Sequence, residues 1–255
     1  MTATFPDLGD LAGLDVDDLE ELACAVDLGV WSERRLGLSM APFHWEWADA
    51  AMNRDRLAVC APREFGKSVA LTVNPTVWRS IYTPGTWSYL FAQTADQAKA
   101  LLGRVKDTME SVRPDLMADA LEDSAVAVTF ANGSRVSTAG AGKRVRGAHP
   151  DVIVGDDVLD EDNTATAMQR RKIERWWFGS VANMAHPGTI REVRTAAGLR
   201  RFPMRPTKIH MVGTPFHEAD LLLAMRTNAR WHFRRYQAEC PPEDRVPGTW
   251  AVEVA

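Results

Sequence analysis

Short apolar runs alternate with longer amphipathic stretches along most of the chain. Leu57-Ala-Val-Cys-Ala61, Trp87-Ser-Tyr-Leu-Phe91, Val152-Ile-Val154 and Ile209-His-Met-Val212 are each too short for a helix and have the composition of strands buried on both faces. Between them the period lengthens. Asp17–Asp27 predicts a short helix with Leu19, Leu22 and Ala23 on one side and acids in its first turn, and Phe43–Met52 predicts a second, rich in Trp. A helix follows Gly66-Lys67-Ser68 to about Ile81, with Pro75 expected to kink or restart it. Thr94 and Gln97 have capping-box spacing at the head of a helix ending near Val112. Val126–Phe130 and Ser134–Thr138 flank Asn132-Gly133, a hairpin signal. A long polar helix is expected over about Thr164–Phe178, Ile209–Val212 as the last core strand, and a linker at Pro241-Pro242. Such alternation predicts an α/β fold around a mostly parallel sheet.

Composition narrows the class. The 255 residues are 45% hydrophobic and 25% charged, which excludes a disordered chain or a disulfide scaffold. No apolar run approaches the roughly eighteen residues of a membrane span, and the N-terminus lacks the pattern of a secretory signal. Cys24, Cys60 and Cys240, odd in number and far apart, favour a reduced, intracellular setting. The net charge of −4 is unevenly spread: residues 1–30 hold eight acids and no Lys or Arg, whereas Arg191–Arg235 holds ten basic residues against three acids. That stripe fits either a phosphate-backbone contact or a solvated face.

The chemistry concentrates at strand ends. Ala61-Pro62-Arg63-Glu64-Phe65-Gly66-Lys67-Ser68 follows a buried strand and opens a helix, the setting of a phosphate-binding loop, although Ala61 stands where the general pattern has Gly. There, backbone amides and Lys67 face phosphates, and the Ser68 hydroxyl suits Mg²⁺. Asp156 and Asp157 end the Val152 strand, where one carboxylate can hold a metal and the next can polarise water. An acidic surface turn is the plain alternative, since Asp160, Glu161 and Asp162 follow. Gly213-Thr214-Pro215 ends a third strand and offers a hydroxyl, or merely a turn. Arg63 can cover a γ-phosphate in cis or pair with a structural acid. Lys143-Arg144-Val145-Arg146, among glycines, suits either a finger reaching a neighbouring subunit or a DNA contact.

In order, Pro42-Phe43-His44, the 61–68 loop, Arg146-Gly147, Val152–Asp157, Val212-Gly-Thr-Pro-Phe-His217 and Asp220-Leu221 resemble a tailed-bacteriophage terminase large subunit over about residues 40–225. The resemblance implies a RecA-like ATPase of the additional-strand, catalytic-acid type. Residues 1–40 would be an acidic helical segment, 41–215 the ATPase core and 216–255 a lid, with the family's nuclease domain absent. It implies that residues 61–68 bind ATP, Ser68 and Asp156 hold Mg²⁺, and Asp157 is the catalytic carboxylate where most such motors have Glu. Thr214 would be the coupling residue, Arg63 the phosphate-loop arginine, Arg146 the trans-acting finger, and His44 would lie beside adenine where a Gln is common. It further implies a pentameric ring packaging double-stranded DNA in the host cytoplasm, with the portal protein and small terminase subunit as partners. Rival readings are a helicase-like or recombination ATPase, a non-hydrolysing assembly module and a small-molecule kinase.

Overall fold

The computed structural model describes residues 15–145, 147–239 and 242–252. Its strands are β1 (Arg56–Cys60), β2 (Trp87–Ala92), β3 (Glu122–Asp123), β4 (Ala127–Thr129), β5 (Arg135–Gly140), β6 (Val152–Asp156), β7 (Thr189–Thr195), β8 (Gly198–Met204), β9 (Lys208–Gly213) and β10 (His232–Arg235). Its helices are α1 (Val16–Val26), α2 (Leu28–Leu36), α3 (Pro42–Asn53), α4 (Asn74–Tyr82), α5 (Ala95–Val112), α6 (Pro114–Ala118), α7 (Glu161–Thr164), α8 (Ala167–Trp176) and α9 (Leu221–Ala224).

Among the described residues, eight strands form one sheet in the order β10-β1-β9-β6-β2-β5-β4-β3. The first six are parallel, and β4 and β3 continue as an antiparallel edge. Because successive side chains leave a strand on opposite faces, each central strand supplies two cores. Leu57, Val59, Leu90, Val152 and Val154 pack with Cys24, Leu28, Trp31, Trp47 and Leu102 on one face. Ala58, Cys60, Tyr89, Phe91 and Ile153 pack with Trp176, Trp177, Leu222 and Trp231 on the other. Burial on both faces explains why these strands read as continuous apolar runs.

Three expectations change. The polar stretch expected as one helix is α7 and α8 as separate helices, because Thr166 caps α8 by accepting from the Gln169 N–H. Beyond Trp176 the helix widens into a π turn over Trp177–Val181. β9 is the last strand with a buried interior, and β10, half-buried along its length, adds an edge in parallel to β1. Leu19 is exposed, and Cys24 is the buried residue of α1. The basic stripe is not one surface: it is divided between β9, β10 and an unforeseen hairpin, β7–β8. Pro75 does restart the helix. Lacking an N–H, it cannot continue the α ladder, so Ser68–Val73 forms a π turn and α4 begins at Asn74.

Candidate active site

The parallel sheet brings the C-terminal ends of β1, β6 and β9 side by side, because β9 lies between β1 and β6. The loop after β1 needs two left-handed residues, Glu64 (φ 68°) and Gly66 (φ 73°). At Gly66 only a missing Cβ makes that conformation free of strain. Lys67 starts the helix, and its buried ammonium donates to the Pro62 carbonyl at 2.7 Å and to the Thr214 hydroxyl at 3.2 Å. Burial pushes the Lys67 ammonium below the usual lysine range, and the neighbouring charges of Asp157 and Asp156 oppose that shift.

Ser68 Oγ donates to Asp156 Oδ1 at 3.0 Å. Asp156 is buried at the end of β6, and its Oδ2 is enclosed without a hydrogen-bond partner. Burial, then the adjacent Asp157 charge, raises its pKa to about 6. An orphaned buried carboxylate oxygen beside a serine hydroxyl is a hard-oxygen donor pair that fits Mg²⁺. That ion takes few protein ligands and completes its shell with water and phosphate oxygens.

Asp157 turns out of the strand in a left-handed conformation (φ 43°), while its N–H still donates to Val212 O at 2.9 Å. Its Oδ1 accepts the Thr214 N–H at 3.2 Å. Thr214 thereby touches all three strand ends: its hydroxyl also donates to Ala61 O at 3.2 Å. Arg63 is exposed, lies 5.8 Å from the Phe216 ring, and lines a cleft of about 480 Å³ with Asp157, Thr214, Gln93 and Asp160.

The structure thus gathers Arg63, Lys67, Ser68, Asp156, Asp157 and Thr214. His44 lies beneath the loop with both ring nitrogens engaged. Nδ1 accepts the Ala41 N–H at 3.1 Å, so Nε2 carries the proton and donates to Phe65 O at 3.0 Å. Phe43 stacks on Phe65 at 5.4 Å. Arg146 lies outside the described residues. Next to it, Arg144 is exposed, and Trp176 Nε1 anchors the loop by donating to Lys143 O at 2.9 Å. Gln93, which donates to Asp160 at the cleft, escaped the sequence reading. Its position directly after a buried parallel strand is the signal that could have found it.

No protein-family model matches the chain, and no curated protein matches it by sequence. Among solved structures, the large-terminase ATPase domain of Thermus phage P74-26 is similar at 16% identity and a TM-score of 0.50, over 72% of this chain and 68% of that one. An arginine-to-alanine mutant of that domain is similar at 15% identity and 0.56, over 82% and 84%. At such identities the likeness is one of architecture, and it agrees with the parallel sheet and the strand-end loops described above. The chain has the α/β, RecA-like fold of a phage large-terminase ATPase domain.

Proposed function

We propose that this chain is a Mg·ATP-hydrolysing motor that drives double-stranded DNA into a viral procapsid. The observation that carries the reading is the convergence of Lys67, the Ser68–Asp156 pair and Asp157 on one sheet edge, joined through Thr214. Residues 61–68 would cradle the phosphates with backbone amides, and Lys67 would neutralise charge developing on the transferred group. Ser68 and Asp156 would hold Mg²⁺, which when bound supplies charge neutralisation at the phosphate oxygens. Asp157, exposed at the cleft, would orient the attacking water. Arg63 would lie over the γ-phosphate in cis. Arg146, or its neighbour Arg144, would reach a nucleotide on the adjacent subunit of a ring, where such an arginine is worth about 10³–10⁵ in rate. His44 would act through the loop, holding the Phe65 carbonyl beside the nucleotide. The portal protein and a small terminase subunit would be the assembly partners, and the host cytoplasm the setting.

The test is nucleotide binding and phosphate release measured side by side. Lys67→Ala should lose both. Asp157→Ala should bind ATP and lose turnover. Turnover in Asp157→Ala equal to that of the wild type would overturn the assignment of that carboxylate, and failure of the wild-type chain to bind ATP would overturn the reading.

A further inference from the structure

Gln93 borders the nucleotide cleft and has no part in the reading above. It follows β2 directly. Parallel pairing sets Phe91 of β2 beside Gly155 of β6, so two residues further on Gln93 leaves its strand alongside Asp157. The two line the same cleft with Arg63 and Thr214.

The Gln93 amide is held in one orientation. Its Nε2 donates to Asp160 Oδ2. An ionised carboxylate only accepts, so the nitrogen and not the oxygen of the amide faces Asp160. Asp160 is itself fixed by the cap of α7: its Oδ1 accepts the Asn163 N–H at 2.6 Å, and its own N–H donates to Asn163 Oδ1 at 3.1 Å. On the other side, Gln97 Oε1 accepts the Thr94 N–H at 3.2 Å in the cap of α5. That leaves Gln97 Nε2 to donate to Gln93 Oε1 at 3.3 Å. The bond is long and takes one of two lone pairs, so Gln93 Oε1 keeps acceptor capacity at the cleft. Glu161 and Asp162 line the same wall, and their charge disfavours phosphate oxygens there. A water presenting its hydrogens suits an acceptor in that position.

Asp157 is the complementary half. Its Oδ1 accepts the Thr214 N–H at 3.2 Å, and its Oδ2 has no hydrogen-bond partner among the described residues. One carboxylate oxygen and one amide oxygen, on adjacent strand ends, thus both have room for a donor. A single water molecule supplies two.

We propose that Gln93 is a catalytic residue: its Oε1 accepts one hydrogen of the attacking water while Asp157 Oδ2 accepts the other, which aims a lone pair at the γ-phosphorus. As that lone pair forms the new P–O bond, the bond from phosphorus to the bridging oxygen breaks and its electron pair leaves with ADP. One proton passes from the water to Asp157 and is later released to solvent, and Gln93 takes none. Asp160 acts through the amide, as a positioning residue. This rests on the ATP-hydrolysing reading above and adds a second contact to its attacking water.

The test measures Mg·ATP binding by titration calorimetry and phosphate release at saturating ATP. It compares wild type, Gln93→Ala, Asp160→Asn and the double variant, each checked by a thermal melt to be folded at the assay temperature. Gln93→Ala should bind ATP as the wild type does and release phosphate roughly 10–100-fold more slowly, the cost of a misplaced nucleophile. Asp160→Asn keeps an acceptor for the α7 cap and frees the Gln93 amide to turn over, so its rate should fall several-fold. The double variant should be no slower than Gln93→Ala, because Asp160 acts only through that amide. Wild-type phosphate release in Gln93→Ala would overturn the inference, and inactivity of Asp157→Ala in the same assay would leave the ATPase reading standing. A fall in rate matched by an equal loss of ATP affinity, or additive losses in the double variant, would make the pair a structural support and overturn the inference as well. Absence of ATP binding or of turnover in the wild type would overturn the underlying reading, and this inference with it.

Discussion

Lys67 and Thr214, 147 residues apart, meet through a 3.2 Å hydrogen bond from the ammonium to the hydroxyl. The same threonine holds Asp157 through its backbone N–H and Ala61 through its hydroxyl, so one residue joins the phosphate loop to the candidate water-orienting carboxylate. Thr214→Val keeps the shape and removes the hydroxyl. The hydroxyl accepts from Lys67 and donates to Ala61 O, and losing two hydrogen bonds of about 1 kcal/mol each corresponds to roughly a thirtyfold fall in phosphate release, with ATP affinity changed little. Thr214→Ser should restore the rate. Full activity in Thr214→Val would show that the contact has no part in turnover.

Asp156 predicts a link between stability, pH and metal. Its folded carboxyl holds its proton up to about pH 6, well above the usual aspartate value of 3.8. Its contribution therefore favours folding below about pH 4 and is lost as pH rises through 6. In metal-free buffer at neutral pH, Asp156→Asn should be more stable than wild type by up to roughly 3 kcal/mol, the difference vanishing near pH 4. Excess Mg²⁺ with nucleotide should stabilise the wild type and not the Asn variant. Denaturant melts across this pH range, with and without chelator, make the measurement.

His44 predicts a separate effect on binding. Its imidazole ties the head of α3 to the Phe65 carbonyl. His44→Phe retains the ring and breaks both bonds, so the loop loses its brace. ATP affinity should fall several-fold to tenfold, at about 1 kcal/mol per hydrogen bond, while kcat at saturation stays close to wild type. A fall in kcat with KM unchanged would contradict the bracing role.

Local pattern carried much of this protein. Leu57–Cys60 and Val152–Val154 read as buried strands because both of their faces are covered, and Gly66-Lys67-Ser68 reads as a strand-to-helix turn because glycine is what that backbone needs. The Thr94 cap and the Asn132-Gly133 turn are also short-range devices, visible within three or four residues. The polar α7–α8 stretch misled, because Thr166 competes with helix continuation by capping, a choice that residue type alone leaves open.

Tertiary structure decided the rest. A sequence can place Lys67, Asp156 and Thr214 at strand ends, but only the order β1-β9-β6 makes those ends adjacent and sets Thr214 between the loop and the aspartates. Strand order is fixed by how two opposed helical layers cover both faces of the sheet, a non-local packing problem that leaves no short-range trace. For the same reason His44 is a brace seen only once α3 lies under the loop. The β7–β8 hairpin likewise takes its place only because Phe202 and Arg191 find Gly85 and Asp151 where the parallel strands begin.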